Sequence, residues 1–265
     1  MNKRKEVIEL NNERLKGSNV KIDVFIPVIE KDIMVLPSVI DGIRSHVMHP
    51  IGKFYIISPE SELIKEWCRK KKCTFIDENT VLPITKQEAG SGWIYQQLLK
   101  LNADKICLNK HILVADADTI FIAPHAFIRG KKTIFYCAKN YWDYPPIFDH
   151  FANLTGLQAV APISLINHYM LFSKKRLMKL KRRIESIHGK PWYQAVLDTI
   201  DPTAYCPISE FEIYGNYMLA KHPSKVILAK GKNRERRSSD FYKLHTLNFN
   251  KLSKKFNSIS FHNRG

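Results

Sequence analysis

The sequence predicts an α/β fold, a single domain with a central mixed sheet flanked by helices. Three observations carry this. Strand-like and helix-like runs alternate through the first 120 or so residues, the order that builds parallel sheets. The run Ile112-Leu113-Val114-Ala115 is apolar throughout, as a strand buried on both faces must be. A hydrophobic fraction of 45% in 265 residues is enough for one substantial core.

The elements follow in order. Residues 1–19 are polar and helix-compatible and read as a loosely attached leader, outside a domain expected over 20–265. Residues 20–27 (VKIDVFIP) form a strand with Val24-Phe25-Ile26 buried and Pro27 closing it. A helix is expected over 33–46, a strand over 53–58, a helix over 62–72 and a short strand over 73–77. After Gly90-Ser91-Gly92, residues 93–103 predict a helix, because Ile94, Leu98 and Leu101 recur on one face. Trp93, Gln96, Gln97 and Lys100 share the adjoining face. Strand 112–115 ends in Asp116-Ala117-Asp118-Thr119, after which Ile120-Phe121-Ile122 resumes. Residues 137–167 are rich in aromatics and proline and read as an irregular substrate loop. Strand 169–172, a very basic helix over 174–188, a helix over 210–220, a strand over 225–228, a basic loop over 230–237 and a final segment 258–262 complete the chain. No internal repeat or linker divides it. The part before about residue 122 is expected to hold a nucleotide, and 123–265 an acceptor.

Forty-two Lys and Arg against 25 Asp and Glu leave a formal charge of +17. Such an excess attracts polyanions, whether nucleic acid, anionic lipid or phosphate-bearing substrate. The five cysteines show no CxxC pair and no zinc spacing, which fits a reducing compartment. The basic start is not followed by an apolar segment, so no secretory signal is expected, and no run is long enough to span a membrane. The expected location is cytoplasmic, including the inner membrane face.

Asp116 and Asp118 are the most informative residues. On an extended backbone they project to the same side, and two adjacent carboxylates repel unless a cation bridges them. Mn²⁺ or Mg²⁺ takes one or two carboxylates and completes its shell with substrate phosphates and water. An Asx-rich turn is the bland reading of such a triplet. Its place at the end of a buried strand favours the metal.

Here the sequence resembles glycosyltransferases of the nucleotide-diphosphosugar-binding fold called GT-A, whose D-x-D motif Asp116-Ala117-Asp118 looks like. The resemblance covers roughly residues 20–265. Strand one, ending in Pro27 with Glu30, Lys31 and Asp32 beyond it, resembles their nucleotide-contacting first loop. The segment from Gly92 to Leu101 looks like the helix before the D-x-D strand in several bacterial members. Segments 167–172 and 209–217 also look like parts of uncharacterised bacterial glycosyltransferases. The resemblance implies a GT-A-like fold and a sugar moved from a nucleotide-sugar donor, a UDP-sugar first. The acceptor implied is a glycan or lipid-linked glycan of surface-polysaccharide biosynthesis. It also implies metal ligands Asp116, Asp118 and His262, and donor contacts at Pro27, Glu30, Lys31, Trp93, Gln96, Gln97, Asp116 and His168. For His262 an ordinary surface imidazole stands as an equal alternative; His168 could also meet the acceptor, and a histidine packed on a strand is the commoner outcome for it.

Two glutamates compete for the catalytic role. Ser209 and Glu212 match the S-x-x-E capping box, which makes Glu212 structural. That leaves Glu210 as the general base of an inverting transfer, against simple complementation of the helix dipole. The helix over 174–188 carries Leu177, Leu180 and Ile184 on one face and cations elsewhere, the make-up of a helix on an anionic membrane surface or of any solvated basic helix. Two rival functions remain. A sugar nucleotidyltransferase would want a Gly-rich phosphate loop after strand one, and Ile26-Pro27-Val28-Ile29-Glu30 is not one. A basic nucleic-acid-binding protein would leave the aspartate pair unexplained, so nucleic acid is not the expected partner.

Overall fold

The computed structural model describes residues 5–11, 15–139 and 144–262. Its strands are β1 (Val7–Ile8), β2 (Ile22–Pro27), β3 (Ile51–Ser58), β4 (Thr74–Asp77), β5 (His111–Ala115), β6 (Thr119–Phe121), β7 (Ile128–Arg129), β8 (Lys132–Cys137), β9 (Tyr169–Ser173), β10 (Val226–Lys230), β11 (Asn233–Arg237) and β12 (Ser258–His262). Its helices are α1 (Leu36–His46), α2 (Glu62–Lys70), α3 (Gly92–Leu101), α4 (Ala103–Ile106), α5 (Pro145–Thr155), α6 (Lys174–His188), α7 (Trp192–Asp198), α8 (Glu210–Lys221) and α9 (Phe249–Ser253). This is the α/β fold with mixed sheets that the sequence predicts.

The central sheet runs β4-β3-β2-β5-β9, parallel except for β9, which lies antiparallel to β5. Both faces are covered. Along β5, Ile112 and Val114 enter one core with Tyr95, Leu98 and Tyr214, while Leu113 and Ala115 enter the other with Val39, Ile43 and Ile56. Strand alternation thus divides one apolar run between two cores, which is why this segment has no polar face. A four-stranded sheet (β1-β10-β8-β7) and a three-stranded one (β11-β12-β6) flank it. Helix α1 lies directly on β6: a Cβ at Gly42 would sit 2.8 Å from the Phe121 carbonyl oxygen. That contact needs glycine and fixes the strand that leaves the aspartate pair.

Three expectations are corrected. Within the leader, Val7–Ile8 is a strand paired with Leu228–Ala229 of β10, since β-branched neighbours favour extended backbone. The basic segment 230–237 is mostly strand: β11 pairs parallel with β12 from Asn233↔Ser258 to Arg237↔His262. The stretch 137–167 is not irregular throughout. Pro145 and Pro146 open α5, and Gly156, at φ 62°, closes it in the left-handed conformation. Prolines in the first turn and a left-handed glycine at the end are ordinary helix boundaries, outweighed in the sequence by the aromatics around them. Residues 140–143 of that expected loop, and Asn2 to Arg4 of the basic start, lie outside the described residues. Among the described residues no helix is long and apolar enough to cross a membrane.

Candidate active site

The aspartate pair sits where β5 ends, at the carboxyl end of the parallel strands, the usual ligand position in open α/β sheets. Two antiparallel pairings supply its neighbours. β5 and β9 pair through Ala115↔Tyr169, and the Asp116 amide donates to the His168 carbonyl at 2.9 Å, so His168 stands opposite Asp116. β6 and β12 pair through Thr119↔Ser260, and the Phe261 amide donates to the Asp118 carbonyl at 3.0 Å, so His262 stands beside Asp118. Residues 52 and 144 positions apart are brought together by register alone.

Each histidine is oriented by one aspartate. His168 Nδ1 lies 3.1 Å from Asp116 Oδ2, and His262 Nδ1 lies 3.0 Å from Asp118 Oδ2. An ionised carboxylate only accepts, so each Nδ1 carries the proton and, in the neutral ring, each Nε2 is left with its lone pair. The rings lie 4.4 Å apart between centroids. His262 Nε2 is buried with no hydrogen-bond partner. Burial alone would lower the His262 pKa, but its hydrogen bond to Asp118 and that carboxylate's charge raise it above the ordinary value. His168 holds φ at +64°, a left-handed conformation uncommon for a residue with a Cβ and typical of constrained functional positions. Asp118, His168 and His262 each offer a ligand atom, all within 4.8 Å of one another.

Asp116 is not one of these three. Its other oxygen pairs with the Lys100 ammonium, which also lies 2.8 Å from Glu210 Oε1. Lys100 is 2% exposed and Glu210 1%. Burial would strip the proton from Lys100, but Asp116 and Glu210 outweigh it and hold its pKa up. Burial would likewise raise Asp116, yet Lys100 and His168 bring its pKa below the usual carboxylate range. Glu210 goes the other way, raised by burial and by the Asp116 charge despite Lys100. Lys100 thus stands between Asp116 and Glu210 and pairs with both.

That geometry encloses both glutamates among polar partners. A general base must reach the acceptor hydroxyl at about 3 Å. Glu210 is enclosed and faces Lys100. Glu212 is 2% exposed, and its carboxylate accepts from the Ser164 hydroxyl at 2.9 Å, the Leu165 amide at 2.8 Å and Asn216 Nδ2 at 2.9 Å. Only half the capping box forms: the Glu212 amide donates to Ser209 Oγ at 3.3 Å, while the carboxylate turns to the 164–165 segment. Glu212→Gln is expected to cost about 1–3 kcal/mol of stability, because the amide's NH₂ must face one of three donors. Urea unfolding measures it; a loss of a few tenths would return Glu212 to a plain cap.

The expected donor residues divide. Pro27 is buried at the end of β2. Glu30 accepts from the Ser61 hydroxyl at 2.6 Å, tying the first loop to the N-cap of α2. Lys31 is exposed beside Asp32. Gln97 is buried, its amide donating to the Trp93 carbonyl at 3.3 Å. Gln96 and Trp93 lie one and two turns before Lys100 on α3, half-buried and 40% exposed respectively. Two site residues escaped the candidate set drawn from the sequence. Lys100 had a signal: a lysine between Leu98-Leu99 and Leu101 on a core helix needs a buried partner. Asp32 is pushed up to about 6, first by burial and then by the charges of Asp118 and Asp116, with Lys31 opposing.

Residues 28–247 match the family of unknown function DUF6492, and the chain belongs to that family. No curated protein matches it in sequence. Among solved structures it is similar to the galactosyltransferase LgtC in complex with donor and acceptor sugar analogues. The identity is 10%, over 91% of this chain and 87% of that one, with a TM-score of 0.45.

Proposed function

We propose that this member of family DUF6492 is a metal-dependent glycosyltransferase. It moves a sugar from a nucleotide-diphosphosugar, of the UDP class, to a hydroxyl of a glycan or lipid-linked glycan. The observation that carries the reading is the cluster of Asp118, His168 and His262 beside Asp116, at the carboxyl end of the sheet. Paired aspartates there suit a cation that also meets a diphosphate.

The residues present fit such an ion. The buried His262 Nε2 has no partner, and two imidazoles with a carboxylate make a mixed nitrogen and oxygen set. That set suits Mn²⁺ better than Mg²⁺, which prefers oxygen. A divalent ion there supplies positive charge against the departing diphosphate. The protein's own part is to hold the donors still. Asp118 and Asp116 fix the two ring orientations, and Lys100, braced by Glu210, fixes Asp116. Lys31, Gln96 and Trp93 stand on the two segments that border the cluster and are the candidate donor contacts. Inversion with a carboxylate as base stays part of this reading: Glu210 lies enclosed against Lys100, and Asp32 is a half-buried carboxylate whose pKa is raised by burial and by the Asp118 and Asp116 charges.

The test is a thermal-shift screen of nucleotide-sugars with Mn²⁺, Mg²⁺ or chelator. At a hundredfold its dissociation constant a ligand adds about 2.7 kcal/mol, or roughly 5–10 °C for a chain of this size. One UDP-sugar is expected to give that rise with Mn²⁺ and not with chelator. A folded protein unmoved by every nucleotide-sugar and ion would sink the proposal.

A further inference from the structure

The amino-proximal edge of the central sheet, opposite the candidate active site, is a row of lysines. Lys21 precedes β2 and Lys110 precedes β5, and Asp23↔Ile112 pairing puts them side by side. Tyr55↔Thr74 pairing likewise sets Lys53 of β3 level with Lys72, in the turn two residues before β4. On the other flank, Lys174 after β9 donates its amide to the Lys110 carbonyl at 2.9 Å. The Lys174 ammonium turns to the Cys107 carbonyl at 2.7 Å, so four adjacent strands each bring an exposed lysine to one edge, spanning roughly 15 Å at the usual strand spacing.

The row is unneutralised. Lys21, Lys53, Lys72 and Lys110 are exposed, and among the described residues none of them forms an ion pair. Asp23, the carboxylate nearest them in sequence register, is fully buried and faces inward. It accepts from the Lys53 amide at 2.9 Å, the Leu108 amide at 2.9 Å, the Asn109 amide at 2.8 Å and Asn109 Nδ2 at 2.7 Å. Those bonds pin the loop before β5, and its tip is Leu108, 71% exposed between the exposed Lys105 and Lys110. A single exposed leucine is unremarkable. A rigidly held one inside a lysine row is the combination that interfacial proteins present to a bilayer: cations over headgroups and an apolar tip below them.

We propose that this edge docks the protein on an anionic lipid surface. The exposed members of the row are all lysines, and Arg44 beside them is committed to the Lys71 carbonyl and the Phe54 ring rather than free for bidentate base recognition, which sets the edge apart from a nucleic-acid surface. It also replaces α6 as the docking element. Lys181 of α6 is buried against Asp104, Arg176 contacts His222 at 2.9 Å, Arg183 donates to the Thr155 carbonyl at 2.7 Å and Lys174 to the Cys107 carbonyl at 2.7 Å, so four of that helix's seven Lys and Arg are already committed. Docked by the lysine edge, the Asp118 cluster faces away from the bilayer at about the length of β2, ~20 Å. Donor and acceptor then arrive from solution or on a chain long enough to reach it.

The experiment is co-sedimentation of the full chain with phosphatidylcholine vesicles, with and without phosphatidylglycerol, over a salt series. Binding is expected only with phosphatidylglycerol and should weaken as salt rises. Lys53→Glu with Lys110→Glu should lower the partition constant at least about 25-fold, taking roughly fivefold per lysine. Leu108→Ser should lower it about tenfold. Both variants should keep the wild-type melting temperature. Lys179→Glu with Arg182→Glu on α6 carries the same charge change and should do far less. An equal loss in that control would show that bulk charge binds, and would overturn the assignment. So would equal binding to neutral vesicles, no vesicle binding, or duplex DNA binding at physiological salt abolished by Lys53→Glu with Lys110→Glu.

Discussion

Asp118→Asn combined with His262→Ala is expected to abolish Mn²⁺-dependent stabilisation and to slow sugar transfer by about 10³-fold, the worth of several kcal/mol of charge stabilisation. The fold should survive. Asp118 and His262 sit at strand ends with half-buried side chains, and their hydrogen bond at 3.0 Å is lost as a pair. His168→Asn is the more delicate variant. Asparagine tolerates the left-handed backbone that φ +64° requires, so the substitution removes an imidazole with little conformational strain. It should weaken Mn²⁺ binding while leaving the metal-free melting temperature nearly unchanged. Protons should compete with the ion, because Asp118 holds the His262 pKa above its ordinary value and a ligand must be deprotonated. Apparent Mn²⁺ affinity therefore falls as pH falls through that raised value. Calorimetric titration with Mn²⁺ at pH 8 and pH 6 reads all three effects. Unchanged affinity in the double variant would remove Asp118 and His262 from the site.

What could be read along the chain was local. The apolar run 112–115 announced β5, Ser209 announced the start of α8, and Gly189 announced the end of α6. Paired aspartates at a strand end pointed to the carboxyl end of the sheet, where Asp118, His168 and His262 cluster. The full cluster needed more than this. His168 and His262 face the aspartates through the β5–β9 and β6–β12 registers, and no short window of sequence encodes a register between strands so far apart. The same limit explains Glu210. Its helix position was legible from Ser209, but its burial depends on Lys100, 110 residues earlier, arriving beside Asp116 on a different helix. Local capping logic put a free carboxylate at the helix start, and tertiary packing filled the space before it.

Lys100→Met is expected to be the most destabilising single substitution at the site, at about 3–5 kcal/mol, the usual result of removing one partner from a buried ionic group. Methionine fills nearly the same space, so the loss is electrostatic. It leaves Asp116 and Glu210 facing each other without the ammonium between them. The deficit should depend on pH, and the sign follows from both carboxylates. Asp116 has a depressed pKa in the folded protein, so its pairing contributes stability above the unfolded value that is lost as pH falls. Glu210 has a raised pKa, so the folded state favours its protonated form and loses stability as pH rises through that value. Removing Lys100 cancels the first contribution and deepens the second. The gap from wild type is therefore largest at neutral pH and narrows on acidification. Lys100→Met with Glu210→Gln should recover part of it, with a coupling of about 1–3 kcal/mol between the two positions. Urea unfolding of the four proteins at pH 5 and pH 8 completes the cycle. A pH-independent deficit with additive single losses would mean that Lys100 only packs, and Glu210 would lose its positioning role.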